Sequence, residues 1–269
     1  MKIIGLMLTW NNFEFFRCAL KQALDFCDEV LLIEGCHSSS YPKYSTDGTC
    51  EHIRSIKHPK LKVFNVGHRF DRYDKNQRVL REEIPKRSQY WKPGNWLFYL
   101  DDDLFFSEQD LVKIKNAIQT TRIPSFTFRV RYFFYNFRFN QLQRGGNFGY
   151  KILDDFELRG ISYPCYRDGR KFDKFHMNDV TGFHYSYVKK PERMKARWAM
   201  SVEKGTKSSA SLFDKWMGIK WDKDEDIFQQ KEKLYEIRPE GELNIYTGEH
   251  PSVLDDHPWR NINDVREAA

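Results

Sequence analysis

The chain has 269 residues, 40% hydrophobic and 30% charged, the composition of a folded protein with a sizeable core rather than a tail or a repeat array. Lys and Arg number 44 against 38 Asp and Glu; the net charge of +6 falls well short of a histone-like excess and suits anionic or phosphorylated partners. No window reaches the roughly 20 apolar residues of a membrane span, and the five cysteines lack C-x-x-C spacing, which argues against a disulfide framework or thiolate zinc site and for a reducing, cytoplasmic setting. Aromatic residues reach 16%, and such rings either fill cores or stack on sugars and bases.

In chain order, residues 2–8 read as a buried strand, too short for a signal-peptide core. The polar turn Thr9-Trp10-Asn11-Asn12 follows. Phe15, Phe16, Cys18, Ala19, Leu20, Ala23, Leu24 and Cys27 then recur at helical spacing. A second strand at 29–33 ends in Glu34-Gly35, where side-chain size drops and the chain can turn. A Ser-rich loop leads to Ser45-Thr46-Asp47-Gly48-Thr49, a helix-start signal for residues 50–56. A third strand at 61–66, a basic helix at about 75–88 and a fourth strand at 95–100 complete this part. Strands alternating with helices imply a parallel sheet covered on both sides, with ligands beyond the carboxyl ends of the strands. The polar groups at those ends are Thr9 to Asn12, Glu34 with Asp47, and Asp101 to Asp103.

Past Asp103 the pattern predicts a helix at about 108–119, an aromatic strand or hairpin at 125–139, and a turn at Gly145-Gly146-Asn147. A mixed region runs to His184, helices are expected at 191–203 and 220–236, and the tail is polar and Pro-punctuated. With no internal repeat or low-complexity linker, the expected organisation is one α/β domain. Residues 1–105 form one half of it, and 106–269 form the other with a C-terminal elaboration.

The strongest local signal is the apolar strand Trp96-Leu97-Phe98-Tyr99-Leu100 running into Asp101-Asp102-Asp103. Side chains two apart share a strand face, so Asp101 and Asp103 converge on one point. Three adjacent carboxylates need water, basic groups or a cation to offset them; carboxylate oxygens suit Mg²⁺ and Mn²⁺, which bridge to substrate phosphates. Read alone, the same residues also serve as a solvated turn or as the cap of the helix starting near Ser107.

Five segments in order resemble the family 2-like glycosyltransferases of the GT-A fold: Leu8-Thr9-Trp10-Asn11, Ile33-Glu34-Gly35, Ser45-Thr46-Asp47-Gly48-Thr49, Lys75-Asn76-Gln77-Arg78 and Leu100-Asp101-Asp102-Asp103. The match spans about the first 105 residues and departs from the family pattern in Glu34, where Asp is commoner, and in a longer loop at 36–44. The resemblance implies a mostly parallel, Rossmann-like sheet. It places Thr9 by the nucleotide, Glu34 and Asp47 at the uracil or ribose edge, and Lys75 and Arg78 at the donor phosphates. Asp101 and Asp103 would hold Mn²⁺ or Mg²⁺, with Asp102 between them on the donor. The helix-cap reading of Asp47 is compatible with that role. In Thr181-Gly182-Phe183-His184-Tyr185-Ser186-Tyr187, His184 looks like a third metal or phosphate contact, though a lone His among aromatics is also a common core residue. Lys189, Lys190 and Arg193 follow, read as phosphate contacts or as a solvated helix start.

The implied activity is transfer of a sugar from a nucleoside diphosphate sugar, UDP-sugar first, to a hydroxyl of a glycan, lipid-linked, protein or other acceptor. An inverting reaction needs a carboxylate base; Asp155, after the Gly-rich turn, is the first candidate and Asp179 the second. The aromatic residues 126–139, with Arg129, Arg131 and Arg138, are part core and part acceptor side, and His250 and His257 are ligands or parts of a packed tail. Peripheral membrane contact stays open. A nucleotidyltransferase is the alternative enzyme, but the first turn lacks its Gly-rich phosphate loop; a nucleic-acid module would leave the triple Asp unexplained.

Overall fold

The first strand, β1 (Ile3–Thr9), is buried along almost its whole length, as befits a strand covered by helices on both faces. In the computed structural model, which describes residues 1–68, 80–158, 165–203, 211–218 and 243–267, it lies inside the sheet. β2 (Glu29–Glu34) pairs parallel on one side of β1, with β3 (Leu61–Asn65) beyond it, and β4 (Trp96–Asp101) pairs parallel on the other. This 3-2-1-4 order is that of a Rossmann half, and the point where it reverses, between β1 and β4, opens a crevice at the strand carboxyl ends.

Between these strands, α1 (Phe13–Phe26) buries Phe15, Phe16, Ala19, Leu20 and Ala23 of the predicted face, adds Phe26, and leaves Cys18 and Leu24 half-buried. α2 (Thr49–Ser55) starts after Gly48, whose φ of 95° favours glycine. Gly35 ends β2 with φ 133°, and a Cβ there would fall 2.4 Å from the Gly67 backbone, so the size drop at Glu34-Gly35 is a packing requirement. Residues 80–82 are helical and a 3₁₀ turn follows at Pro85–Arg87, because proline ends the predicted basic helix before residue 88. The rest of that helix, residues 75–79, lies outside the described residues.

After β4 the chain reverses into β5 (Leu104–Phe105) and then α3 (Glu108–Thr120), capped by the Ser107 hydroxyl accepting from the Asp110 amide. β6 (Ser125–Phe134) and β7 (Phe139–Lys151) form a long antiparallel hairpin, and β7 joins β4, so one sheet runs through both halves of the chain. The short pair β8 (Phe156–Glu157) and β9 (Cys165–Tyr166) lies apart from that sheet. β10 (Lys174–Tyr187) runs parallel to β6 and antiparallel to β5. α4 (Pro191–Glu203), α5 (Ser211–Met217) and β11 (Leu243–Ile245) follow, β11 pairing with β7. The result is an α/β fold with a mixed central sheet: its first four strands are parallel, helices flank it, and antiparallel strands extend it.

Two expectations change. Gly145-Gly146-Asn147 is not a turn but part of β7, beside register shifts in β6; a Cβ on Gly145 would lie 2.4 Å from the Phe128 carbonyl, the close backbone approach that glycine permits. The mixed region before His184 contains the 14-residue strand β10. The predicted helix at 220–236 lies outside the described residues.

Most of the aromatic stretch 126–139 is core. Phe126, Phe128, Phe133, Phe134, Tyr135, Phe137 and Phe139 are all at most 2% exposed, and Phe133 stacks on Tyr185 at 4.7 Å. His257 packs 4.2 Å from the Phe15 ring, and His250 Nδ1 lies 2.6 Å from the Tyr185 hydroxyl. These histidines belong to a packed tail, where burial pushes His250 down to about 4 and His257 to about 3.

Candidate active site

Three predicted segments interlock at the carboxyl ends of β1 and β2. The Asn11 amide donates to the Ser45 hydroxyl at 2.9 Å, and the Thr46 amide donates to Asn11 Oδ1 at 2.7 Å. Asn11 adopts φ 47°, a conformation asparagine tolerates better than most residues. Asp47 caps two helices, accepting from the Phe13 amide at 2.9 Å and the Thr49 amide at 3.1 Å. Glu34 is 1% exposed and accepts from the Ser45 amide at 2.7 Å. It turns inward beside Cys50, whose thiol is pushed up to about 11 by burial and then by the Glu34 charge. Glu34 therefore holds the loop, while Asp47 reaches a cavity wall.

The triple aspartate sits where β4 turns into β5. Leu8 is in register with Asp101, and Leu104 with His184, so β10 brings the histidine to the acidic turn. His184 Nε2 lies 2.7 Å from Asp103 Oδ1 and 3.7 Å from Asp101 Oδ2, with the Ser186 hydroxyl 2.6 Å away. Lys189 Nζ donates to Asp103 Oδ2 and to Asn12 Oδ1, both at 2.7 Å, and is 3% exposed. Thr9 donates to Asp102 Oδ2 at 2.7 Å, and Asn12 Nδ2 donates to the Asp102 carbonyl.

The three carboxylates thus have different electrostatics. Burial opposes ionisation of Asp103, but the Lys189 ammonium and His184 hold it well below the usual carboxylate range. Asp102 is pushed up to about 6, first by burial and then by the Asp103 charge, against the pull of Lys189 and the Thr9 hydrogen bond. The Asp101 side chain stays 50% exposed.

These groups line a cavity of about 310 Å³, together with Trp10, Cys36, Arg193, Arg197 and Met200. A second cavity of about 510 Å³ shares Trp10, Lys189 and Arg193 with it and adds Asn12, Tyr41, Asp47 and Trp259. Trp10 stands between them, its ring edge-to-face with Tyr41 and 5.0 Å from the Arg193 guanidinium.

Thr9, Asp101, Asp102, Asp103 and His184 are brought together, and Asp47 borders the adjoining cavity. Lys75 and Arg78 lie outside the described residues. Asp155 and Asp179 line neither cavity: Asp155 is exposed in the turn before β8, and Asp179 is exposed beside Lys113 of α3. The reason for favouring Asp155 falls with the Gly-rich turn, which is a strand. Lys189 and Arg193 are not a solvated helix start but cavity walls. The signal for this was the four-residue spacing of Lys189, Arg193 and Arg197, the last two on one face of α4 and the first just before its start.

The donor set bears on Mg²⁺ or Mn²⁺. Both Asp103 oxygens are engaged by His184 and Lys189, and among the described residues no three His, Cys, Asp or Glu side chains form a metal-holding group. What fits is an ion held mostly by phosphates and water with Asp101 as its protein carboxylate, a usual mode for Mg²⁺.

No protein-family model matches the chain, and no curated protein matches it. Among solved structures, S. aureus TarS residues 1–349 is similar at 12% identity and TM-score 0.46, over 89% of this chain and 76% of that one. The same region in complex with UDP-GlcNAc gives 12% and 0.44 over the same shares. A further structure of S. aureus TarS gives 13% and 0.43 over 81% of this chain and 42% of that one. Among the described residues, no helix is long and apolar enough to cross a membrane.

Proposed function

We propose that this chain is a glycosyltransferase that moves a sugar from a nucleoside diphosphate sugar, UDP-sugar first, to an acceptor hydroxyl. The observation that carries the reading is the convergence of Thr9, Asp101 to Asp103, His184 and Lys189 on one cavity at the reversal point of the parallel strands. In α/β sheets ligands bind at that place, and a carboxylate-and-cation cluster there suits a phosphorylated substrate.

In this reading the nucleoside lies along the second cavity, between Trp10, Tyr41 and Asp47, on a loop kept in place by Glu34 and Ser45. The diphosphate enters the first cavity. Cleavage of the sugar–phosphate bond leaves negative charge on the departing diphosphate, which fixed cations stabilise without reorganising. A divalent ion at Asp101 would supply additional Lewis-acid charge there when bound. Asp103 orients Lys189 and His184, and Thr9 and Asn12 fix the Asp102 turn. Asp155 and Asp179 are assigned no step; inversion, which the resemblance implies, is read from the anomeric configuration of the product.

Thermal-shift measurements with UDP, GDP and their sugars, with and without Mn²⁺, test the reading. Stabilisation by one base is expected, on the order of 2.7 kcal/mol at a hundredfold excess over Kd. No shift with any nucleotide would overturn it, and release of pyrophosphate instead of a nucleoside diphosphate would favour a nucleotidyltransferase.

A further inference from the structure

Lys189, just before α4, and Arg193 and Arg197 within it lie four residues apart and all border the cavity that holds the triple aspartate. Two of them have protein partners: Lys189 serves Asp103 and Asn12, and Arg197 donates to the Ser186 carbonyl at 2.8 Å. Arg193 differs. Its Nε and Nη1 are buried and have no hydrogen-bond partner, although the guanidinium lies against Trp10 and borders both cavities. The nearby carboxylates Asp102 and Asp103 attract its charge, but their hydrogen bonds go elsewhere, Asp103 to Lys189 and His184, and Asp102 to Thr9.

A buried guanidinium N–H without an acceptor is costly. Its planar fork matches phosphate oxygens, and phosphate contacts of this kind are charge-assisted and strong. The Lys189 ammonium has three donors, two of them used by the protein. Both groups reach the two cavities that Trp10 separates, where a ligand spanning the two would place its charged middle.

We propose that Arg193, with Lys189 beside it, forms a built-in cationic site for a diphosphate group, which binds there without a divalent ion. The proposal rests on the nucleotide-sugar reading and names the group that receives the donor's phosphates. Arg193 supplies the open N–H donors of Nε and Nη1, Lys189 adds charge while neutralising Asp103, and any ion at Asp101 adds to a site already positive.

The test is titration of the whole chain in EDTA with inorganic pyrophosphate and with UDP, comparing wild type, Arg193→Gln, Arg193→Lys and, as a control on the exposed face of α4, Lys195→Gln. Wild type and Lys195→Gln are expected to bind both probes, and Arg193→Gln to bind both about tenfold or more weakly, the loss of one charge-assisted contact. The melting temperature of ligand-free Arg193→Gln is expected to stay level, since the buried Nε and Nη1 groups it removes make no hydrogen bond to the protein; a merely structural arginine would lower it. Unchanged affinity in Arg193→Gln, or wild-type binding that disappears in EDTA, overturns the proposal and leaves the transferase reading standing. Pyrophosphate binding through Arg193 with no affinity for any nucleotide upholds the site and overturns the transferase reading. Binding of neither probe, with or without Mn²⁺, overturns both. If Arg193→Gln does not fold, Arg193→Lys decides: severalfold weaker pyrophosphate binding supports the site, and wild-type affinity overturns it.

Discussion

At the carboxyl end of β4, three aspartates meet a histidine, a lysine and a threonine around an open cavity; in β6 and at the start of β7 a run of aromatic rings packs into the core. Both segments stand out in the sequence, but they differ in what their environment does to them. Rings such as Phe133 find stacking partners in Phe183 and Tyr185 and lose all contact with water. The aspartates are kept apart electrostatically: Asp103 is paired and buried, Asp102 is pushed up to about 6 by burial and then by the Asp103 charge, and Asp101 still faces solvent. In the acidic cluster the members are forced into unlike states; in the aromatic one they are treated alike.

Substitutions should separate the two regions. Phe133→Ala removes a fully buried ring and is expected to cost about 3–5 kcal/mol of stability in urea unfolding, with nucleotide affinity per folded molecule unchanged. Lys189→Met strips a buried carboxylate of its cation and is expected to cost about 3–5 kcal/mol, and unlike Phe133→Ala to abolish turnover as well. Asp47→Ala removes a cap shared by two helices and should cost on the order of 1 kcal/mol by the same unfolding assay.

The effect that is smallest at neutral pH, and grows only as pH falls, belongs to the packed tail. His250 stays neutral in the folded protein down to about 4, held there by burial and by Arg260 and Arg131, and His257 down to about 3, by burial and by Arg17 and Lys189. In the unfolded chain both take up protons near pH 6.5. The unfolded state therefore binds more protons below that value, so stability falls as pH drops from about 6.5 toward 4. His250→Gln combined with His257→Gln should flatten that part of a melting-temperature profile.

Much of the parallel half was legible because each element carried its own signal: an apolar run for β1, helical spacing for α1, and Asp47-Gly48 before α2. The acidic turn was legible because three like charges at a strand end need offsetting. Lys189 and Arg193 were harder to place, since a lysine before a helix reads as solvated until β10 brings it to Asp103. Glu34 stands out because it ends a strand, and the longer loop after β2 folds the Ser45 amide onto it, a contact no sequence signal announces. The glycines in β7 read as a turn because close backbone approach between strands leaves the same mark in sequence as a reversal.

The most direct measurement is release of UDP from UDP-sugars by the wild type and by Asp101→Asn, whose side chain is half exposed and outside the core. The expected result is UDP release by the wild type, lost at least tenfold in the variant at an unchanged melting temperature. Turnover untouched by Asp101→Asn, or release of pyrophosphate in place of UDP, would contradict sugar transfer at this cavity.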